Sequence, residues 1–284
     1  MGIDDPRLAF AVERWGLTMG EPYPDVYPGN FVCRCSLPDG TQAVIKTEPE
    51  RGDGEFLSGI DALLLYGGHS MVRVLELARA ERVVLMELVV PGETTWREPI
   101  DRALEAVASV MSKLRMTPPP AYSFPDVRSY RRAWSGNIRL YGGPGPIDPD
   151  LFEEGERLFV ELCDTSAAPV VLHGDLHFGN VLSSDRESWQ AIDPKGLIGE
   201  PCYEVGDVLR NRVDELYEES DPVGAMRRRI EVISDLTGFD RERIRLWALA
   251  QAVLSEIWTA DDPDGSANVD LRAARLLKQI GPIG

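Results

Sequence analysis

One stretch near residue 180 restricts the fold of this chain more than any other. Val170-Val171-Leu172 is a short apolar run, followed by His173-Gly174-Asp175-Leu176-His177-Phe178-Gly179-Asn180. Val181-Leu182-Ser183 then reads as a strand, residues 184–188 as a turn, and Trp189–Ile192 as the returning strand, which leads into Asp193. In an antiparallel pair, the start of one strand lies beside the end of its partner. Asn180 and Asp193 are therefore expected as neighbours, with Asp175 in the loop leading to the same end. Taken singly, Asp175 and Asn180 are ordinary turn formers, and Asp193 an ordinary strand-end residue before Pro194. Together they gather two carboxylates and an amide, a hard-oxygen set suited to Mg²⁺. One carboxylate is then free to take the proton of a hydroxyl attacking a phosphate.

Around this segment the apolar pattern divides the chain in two. The first ninety residues are β-rich. Phe31–Cys35 and Ala43–Lys46 read as a hairpin across the turn Pro38-Asp39-Gly40. Residues 55–66 have helical apolar spacing and stop at Gly67-Gly68. Met71–Leu75 and Val83–Val90 read as further strands, the second ended by Pro91-Gly92. Beyond them the pattern is helical. Ile100, Ala103, Leu104, Val107, Met111 and Leu114 make one stripe. Asp148-Pro149 opens a helix through Leu162, residues 225–237 form another closed by Gly238, and Asp240 caps one running to about Trp258. Gly142–Gly145 reads as a flexible loop. The expected architecture is α+β and two-lobed: a small β-rich lobe over residues 1–88, a hinge near 87–92, and a mainly helical lobe over 89–284.

Charge and composition exclude several classes. The formal net charge over 284 residues is −17, which disfavours nucleic acid and anionic membranes as partners. It suits a cationic substrate, and equally simple solubility. No run of about 18 apolar residues is present to span a membrane. The first residues lack the pattern of a secretory leader, so a cytoplasmic location is expected. Cys33 and Cys35, two apart on a strand, face one side. With Cys163 and Cys202 they are expected to be reduced and structural. No GxxxxGK[ST] motif occurs, which argues against a P-loop enzyme.

The run His173-Gly174-Asp175-x₄-Asn180 resembles the catalytic loop of the aminoglycoside phosphotransferases, which share the protein-kinase-like fold. Ala191-Ile192-Asp193-Pro194-Lys195-Gly196-Leu197-Ile198-Gly199-Glu200-Pro201 is similar to one branch of them, the streptomycin 6-kinase and hydroxyurea phosphotransferase group. Arg14–Leu17, Leu37–Thr41, residues 65–75 and Leu254–Trp258 with its following acidic turn resemble that group too. The resemblance implies ATP and Mg²⁺ as cofactors and a five-stranded antiparallel sheet with one helix in the first lobe. It implies Asp175 as catalytic base and Asn180 and Asp193 as metal ligands. Lys46 would contact the α- and β-phosphates, paired with Glu55 or, failing that, Asp61; Gly59, where the family pattern also suggests an acid, has none. Met86-Glu87-Leu88-Val89 would form the hinge whose backbone meets adenine, and Tyr27-Pro28-Gly29-Asn30 the loop over the phosphates.

The acceptor implied is a small molecule, most naturally a cationic aminoglycoside such as streptomycin. Glu204, Asp207, Glu256, Asp261 and Asp262 are candidates for an acidic cleft, and Trp134, Trp247 and Trp258 for packing a sugar ring. Glu204 and Asp207 could instead orient the loop. His173 is expected to tie the loop to neighbouring backbone. Lys195 either tempers local negative charge, touches substrate or is simply solvated. The alternatives are a kinase of hydroxyurea or another hydroxyl metabolite, and a silent nucleotide-binding protein of the same fold. The absence of DFG and APE signatures argues against a protein kinase.

Overall fold

A computed structural model describes residues 5–24, 29–49, 54–166, 168–260 and 269–283. Tyr27 and Pro28 of the expected phosphate loop, and Asp261 and Asp262, lie outside the described residues. The chain opens with α1 (Pro6–Trp15), which the Asp5 side chain caps by accepting from Arg7 N, and which Gly16 closes with a left-handed φ of 64°. Then come β1 (Thr18–Pro22), β2 (Phe31–Ser36), β3 (Gln42–Thr47), α2 (Glu55–Tyr66), β4 (Val74–Ala78) and β5 (Val83–Glu87). The strands form one antiparallel sheet in the order β1-β2-β3-β5-β4.

Strand alternation gives this sheet two faces. Cys33, Cys35, Ala43, Ile45, Val83 and Leu85 face α1 and pack with its Leu8 and Ala11. Val84 faces the other way and joins Phe56, Ile60 and Leu63 of α2 in the main core. Lys46, next to Ile45, therefore belongs to the α2 face. All four cysteines are buried free thiols.

The strand expected at Met71–Leu75 begins three residues later. Residues 70–72 instead cross to the second lobe, where Val72 N donates to Ala191 O and Ala191 N to Ser70 O. After β5 the chain enters β6 (Pro91–Thr94) and α3 (Ile100–Lys113), then α4 (Arg132–Tyr141) and α5 (Pro149–Asp164). Gly142, expected in a flexible loop, closes α4 in a left-handed conformation. β7 (Val170–Leu172), β8 (Val181–Ser184), β9 (Ser188–Ala191) and β10 (Leu197–Gly199) follow, then α6 (Val205–Arg210), α7 (Val213–Glu218), α8 (Pro222–Thr237), α9 (Arg241–Thr259) and α10 (Val269–Ile280). β6 pairs with β8 and β8 with β9, while β10 pairs with β7. α9 is buried nearly all round, with Trp247, Ala248, Leu249, Ala250, Val253 and Leu254 at 1% exposure or less. It is the axis on which α5, α6 and α10 pack. Among the described residues, no helix is long and apolar enough to cross a membrane.

Candidate active site

The β8–β9 hairpin has the register its sequence requires: Val181 pairs with Ala191 and Ser184 with Ser188. Asn180 and Asp193 thus flank its open end, and Ile192 N donates to Asn180 O at 2.9 Å. Asp193 takes a left-handed φ of 59°, a turn rare for a residue with a side chain. His173 ties the loop together. Its Nδ1 accepts from Asp175 N at 3.2 Å, so its Nε2 carries the hydrogen donated to Ile192 O at 2.8 Å. Asn180 Nδ2 donates to Asp175 O at 2.9 Å, so the amide oxygen is the atom of this side chain that could hold a metal. Asp175, Asn180 and Asp193 are thus brought to one edge, as their spacing predicts.

The loop is fixed from behind by buried residues. Thr95 Oγ1 donates to Phe178 O at 2.8 Å. Gly174 N donates to both oxygens of Glu204, at 3.1 and 3.2 Å. Glu204 is buried, and that burial, helped by Asp207, pushes its carboxyl up to about 8. Asp207 accepts from Arg210 at 2.7 Å, and Arg210 reaches on to Asp270 at 3.4 Å. Glu204, Asp207 and Glu256 are 2%, 5% and 1% exposed. The expectation that they line an open acidic cleft is therefore corrected; the first two are supports for the loop and its neighbours.

Lys46 reaches from the first lobe to the second. It makes ion pairs with Asp193 and with Glu48 Oε1, the latter at 2.5 Å. Burial works against its charge, and the two carboxylates outweigh that and hold the ammonium above its ordinary range. Among the described ion pairs, Glu48 stands where Glu55 was expected, and Asp61 pairs with Arg79 at 2.5 Å. Lys46 and Glu48 share a parity along one extended segment, a signal the sequence contained. The lack of an acid at position 59 has a steric cause. A Cβ on Gly59 would lie 2.2 Å from Pro194 O, and one on Gly196 2.2 Å from Ser58 O. α2 thus runs in backbone contact with the loop after Asp193, and Ser58 Oγ donates to Lys195 O at 2.6 Å.

On the opposite flank, Lys195 Nζ lies 3.8 Å from Asp175 Oδ1 and 5.6 Å from the centre of the Trp258 ring. Tyr130, which no sequence signal singled out, meets Trp258 edge-on at 5.0 Å. Burial opposes ionisation of Asp175, but Lys195, His177, His173 and Arg210 together hold its carboxyl below the ordinary range. Of the three tryptophans considered for a sugar ring, Trp134 and Trp247 are fully buried, while Trp258 is 46% exposed. Of the hinge residues, Met86 lies within β5, opposite Val44 and Val74. Glu87 N donates to Arg73 O at 2.9 Å, and its carboxylate accepts from Arg73 N at 2.9 Å and Arg186 at 2.6 Å. Leu88 and Val89 carry the chain on to Val90, whose carbonyl accepts from Asp185 N.

Comparison with known proteins places the chain in one family and one fold. Residues 17–263 match the family described as aminoglycoside/hydroxyurea antibiotic resistance kinase. The chain is 30% identical to a streptomycin 6-kinase of Streptomyces glaucescens, across 85% of this chain and 78% of that one. It is 30% identical to a hydroxyurea phosphotransferase of Kitasatospora aureofaciens, across 90% and 73%. Its fold matches the choline kinase LicA of Streptococcus pneumoniae with a TM-score of 0.67 at 12% identity, covering 95% and 97% of the two chains. The two-lobed protein-kinase-like fold and the match over residues 17–263 establish that this chain belongs to the aminoglycoside/hydroxyurea antibiotic resistance kinase family.

Proposed function

We propose that the protein transfers the γ-phosphate of ATP to a hydroxyl of a cationic aminoglycoside, streptomycin being the first candidate. The observation that carries this is the convergence of Asp175, Asn180 and Asp193 on one hairpin end, with Lys46 reaching Asp193 from the other lobe. In this reading Asp175 takes the acceptor proton as the oxygen attacks phosphorus. Its carboxyl, held below the ordinary range, is ionised and ready at neutral pH. Lys46 holds the α- and β-phosphates, and the Leu88–Val89 backbone meets the adenine edge beside the braced Glu87.

The donor set suits Mg²⁺. Asp193 offers a carboxylate and Asn180 an amide oxygen, both hard ligands. Among the described residues no three His, Cys, Asp or Glu side chains cluster as a metal cage. A two-ligand site completed by phosphates and water is the usual habit of this ion with nucleotides. When bound, Mg²⁺ neutralises the phosphate charge that builds as the bond breaks. The acidic whole, at −17, favours a cationic acceptor, and the exposed Trp258 near Lys195 offers an apolar face to a ring-bearing one. Family membership and the absence of a membrane-crossing helix among the described residues fit action in the cytoplasm.

The test is release of ADP with streptomycin, other aminoglycosides, hydroxyurea or no acceptor. Streptomycin-dependent turnover supports the proposal. Turnover with hydroxyurea alone would move the chain to the second activity named among its relatives. In the same assay Asp175→Ala is expected to lower kcat by at least about 100-fold while ATP still binds. Turnover like that of the wild type would remove Asp175 from its role.

A further inference from the structure

Both ends of the phosphoryl path carry negative charge. Asp193 stands at the nucleotide end and Asp175 at the acceptor end, while the transferred group is itself an anion. At the first end Lys46 lies against Asp193. At the second, the ammonium of Lys195 lies 3.8 Å from Asp175 Oδ1, too long for a firm charge-assisted hydrogen bond.

The backbone of Lys195 is locked on both sides. Its N–H donates to His173 O at 2.8 Å, the next N–H, from Gly196, donates to the same oxygen at 3.1 Å, and its carbonyl accepts from Ser58 Oγ at 2.6 Å. Only the side chain is left to move, swinging about a fixed root two residues past Asp193. Trp258 bounds that swing on one side, with its ring centre 5.6 Å from Nζ.

Two roles are open to a lysine here: gripping the acceptor or meeting the phosphoryl group. Charge decides between them. A cationic group of the acceptor is repelled from this position, whereas an anionic phosphoryl group is drawn to it. We propose that Lys195 is a catalytic residue whose ammonium contacts the γ-phosphoryl group as it passes to the acceptor oxygen beside Asp175. This rests on the phosphotransfer reading above. In the step, the acceptor oxygen bonds to the γ-phosphorus, and the bond to the β,γ-bridging oxygen breaks with its electron pair leaving on ADP. The hydroxyl proton passes to Asp175. Lys195 neither gains nor loses a proton; it offsets charge at the end of the path away from Lys46.

The experiment combines two measurements on the full chain. The first is steady-state kinetics of wild type, Lys195→Met and Lys195→Arg with the best acceptor found. The second is binding of ADP and of a non-hydrolysable ATP analogue, each with Mg²⁺. Lys195→Met is expected to lower kcat on the order of 100-fold, with acceptor KM and ADP affinity within a few-fold of wild type. It should also lose any preference of the wild type for the ATP analogue over ADP. Lys195→Arg, which keeps the charge, should recover most of kcat. An unchanged kcat with a raised acceptor KM would make Lys195 an acceptor contact and overturn the proposal. So would equal losses in both variants accompanied by a lower melting temperature. If the wild type binds nucleotide but phosphorylates nothing, the phosphotransfer reading fails by itself. Lys195 is then judged by binding alone, and an unaltered ratio of analogue to ADP affinity in Lys195→Met overturns its contact with the γ-phosphate.

Discussion

Gly59 shows how much one hydrogen atom in place of a methyl group decides here. It sits inside α2, where replacing glycine by alanine ordinarily stabilises a helix by roughly 1 kcal/mol. The opposing effect is larger, because the added Cβ would lie 2.2 Å from the carbonyl oxygen of Pro194, and overpacking of that kind costs about 1–3 kcal/mol. Gly59→Ala is therefore expected to lower the melting temperature and to weaken Mg²⁺-dependent nucleotide binding by displacing the loop after Asp193. A higher melting temperature would show that the contact yields easily.

Glu204 supplies a pH dependence. Its folded carboxyl titrates near 8 against an ordinary 4.5, so between those values the folded state holds a proton that the unfolded state has released. Stability from this group is complete below about 4.5 and is lost as pH rises towards 8 and beyond, at about 1.4 kcal/mol per unit of difference. Glu204→Gln should flatten that decline in melts across pH 5–9, and an unaltered slope would rule Glu204 out as its source. At this scale the hairpin geometry was legible, because residues 173–193 are close in sequence and their register follows from alternation. Glu48 and Tyr130 were not singled out. Glu48 carried only a two-residue parity with Lys46, and Tyr130 reaches Trp258 from 128 positions away along the chain.

Elements were legible where their punctuation was read. Asp148-Pro149 before α5, Gly67 after α2 and Asp240 before α9 all perform the capping their residue types predict. α1 carries the same signals, Asp5-Pro6 and Gly16, yet its ten residues read only as part of a β-rich stretch, with no element assigned to them. The shift of β4 has a different origin. Residues 70–72 are apolar enough for a strand of the first sheet, but the edge of the β8–β9 hairpin claims their backbone hydrogen bonds, a long-range competition that no local pattern reports. Packing between elements also has single anchors. Arg243, near the start of α9, pairs with the buried Glu200 after β10 and donates to Leu162 O and Thr165 Oγ1 at the end of α5. Glu200 also accepts from Trp247 Nε1 at 3.1 Å. Removing the cation leaves a carboxylate in the core with only that indole, so Arg243→Met is expected to cost about 3–5 kcal/mol. Chemical denaturation measures it, and a loss below about 1 kcal/mol would mean Glu200 takes up a proton or water instead.

For the molecule as a whole, the two lobes are joined by more than the chain between β5 and β6. Arg186, in the β8–β9 turn, bonds the carbonyls of Gly68 and Met71 and the carboxylate of Glu87, and Gln190 bonds Met71 O as well. A ligand that bridges both lobes should therefore add to an existing union. At a hundred times its dissociation constant, Mg²⁺·ATP is expected to stabilise the protein by about 2.7 kcal/mol. That appears as a rise in melting temperature, largely reversed when EDTA removes the metal; a rise indifferent to EDTA would argue against Asn180 and Asp193 as its holders. The two-lobed outline was legible from the change of apolar period near residue 90. The substrate face was less so, because Glu204, Asp207 and Glu256 look alike in sequence to acids on a surface and differ only in burial. The meeting of α2 with the Pro194–Gly196 backbone has a mechanical consequence. Two chain segments with no side chain between them cannot slide apart in small increments without breaking the Ser58 bond outright. Movement of α2 against that loop is thereby opposed by steric contact and by a hydrogen bond at the same corner.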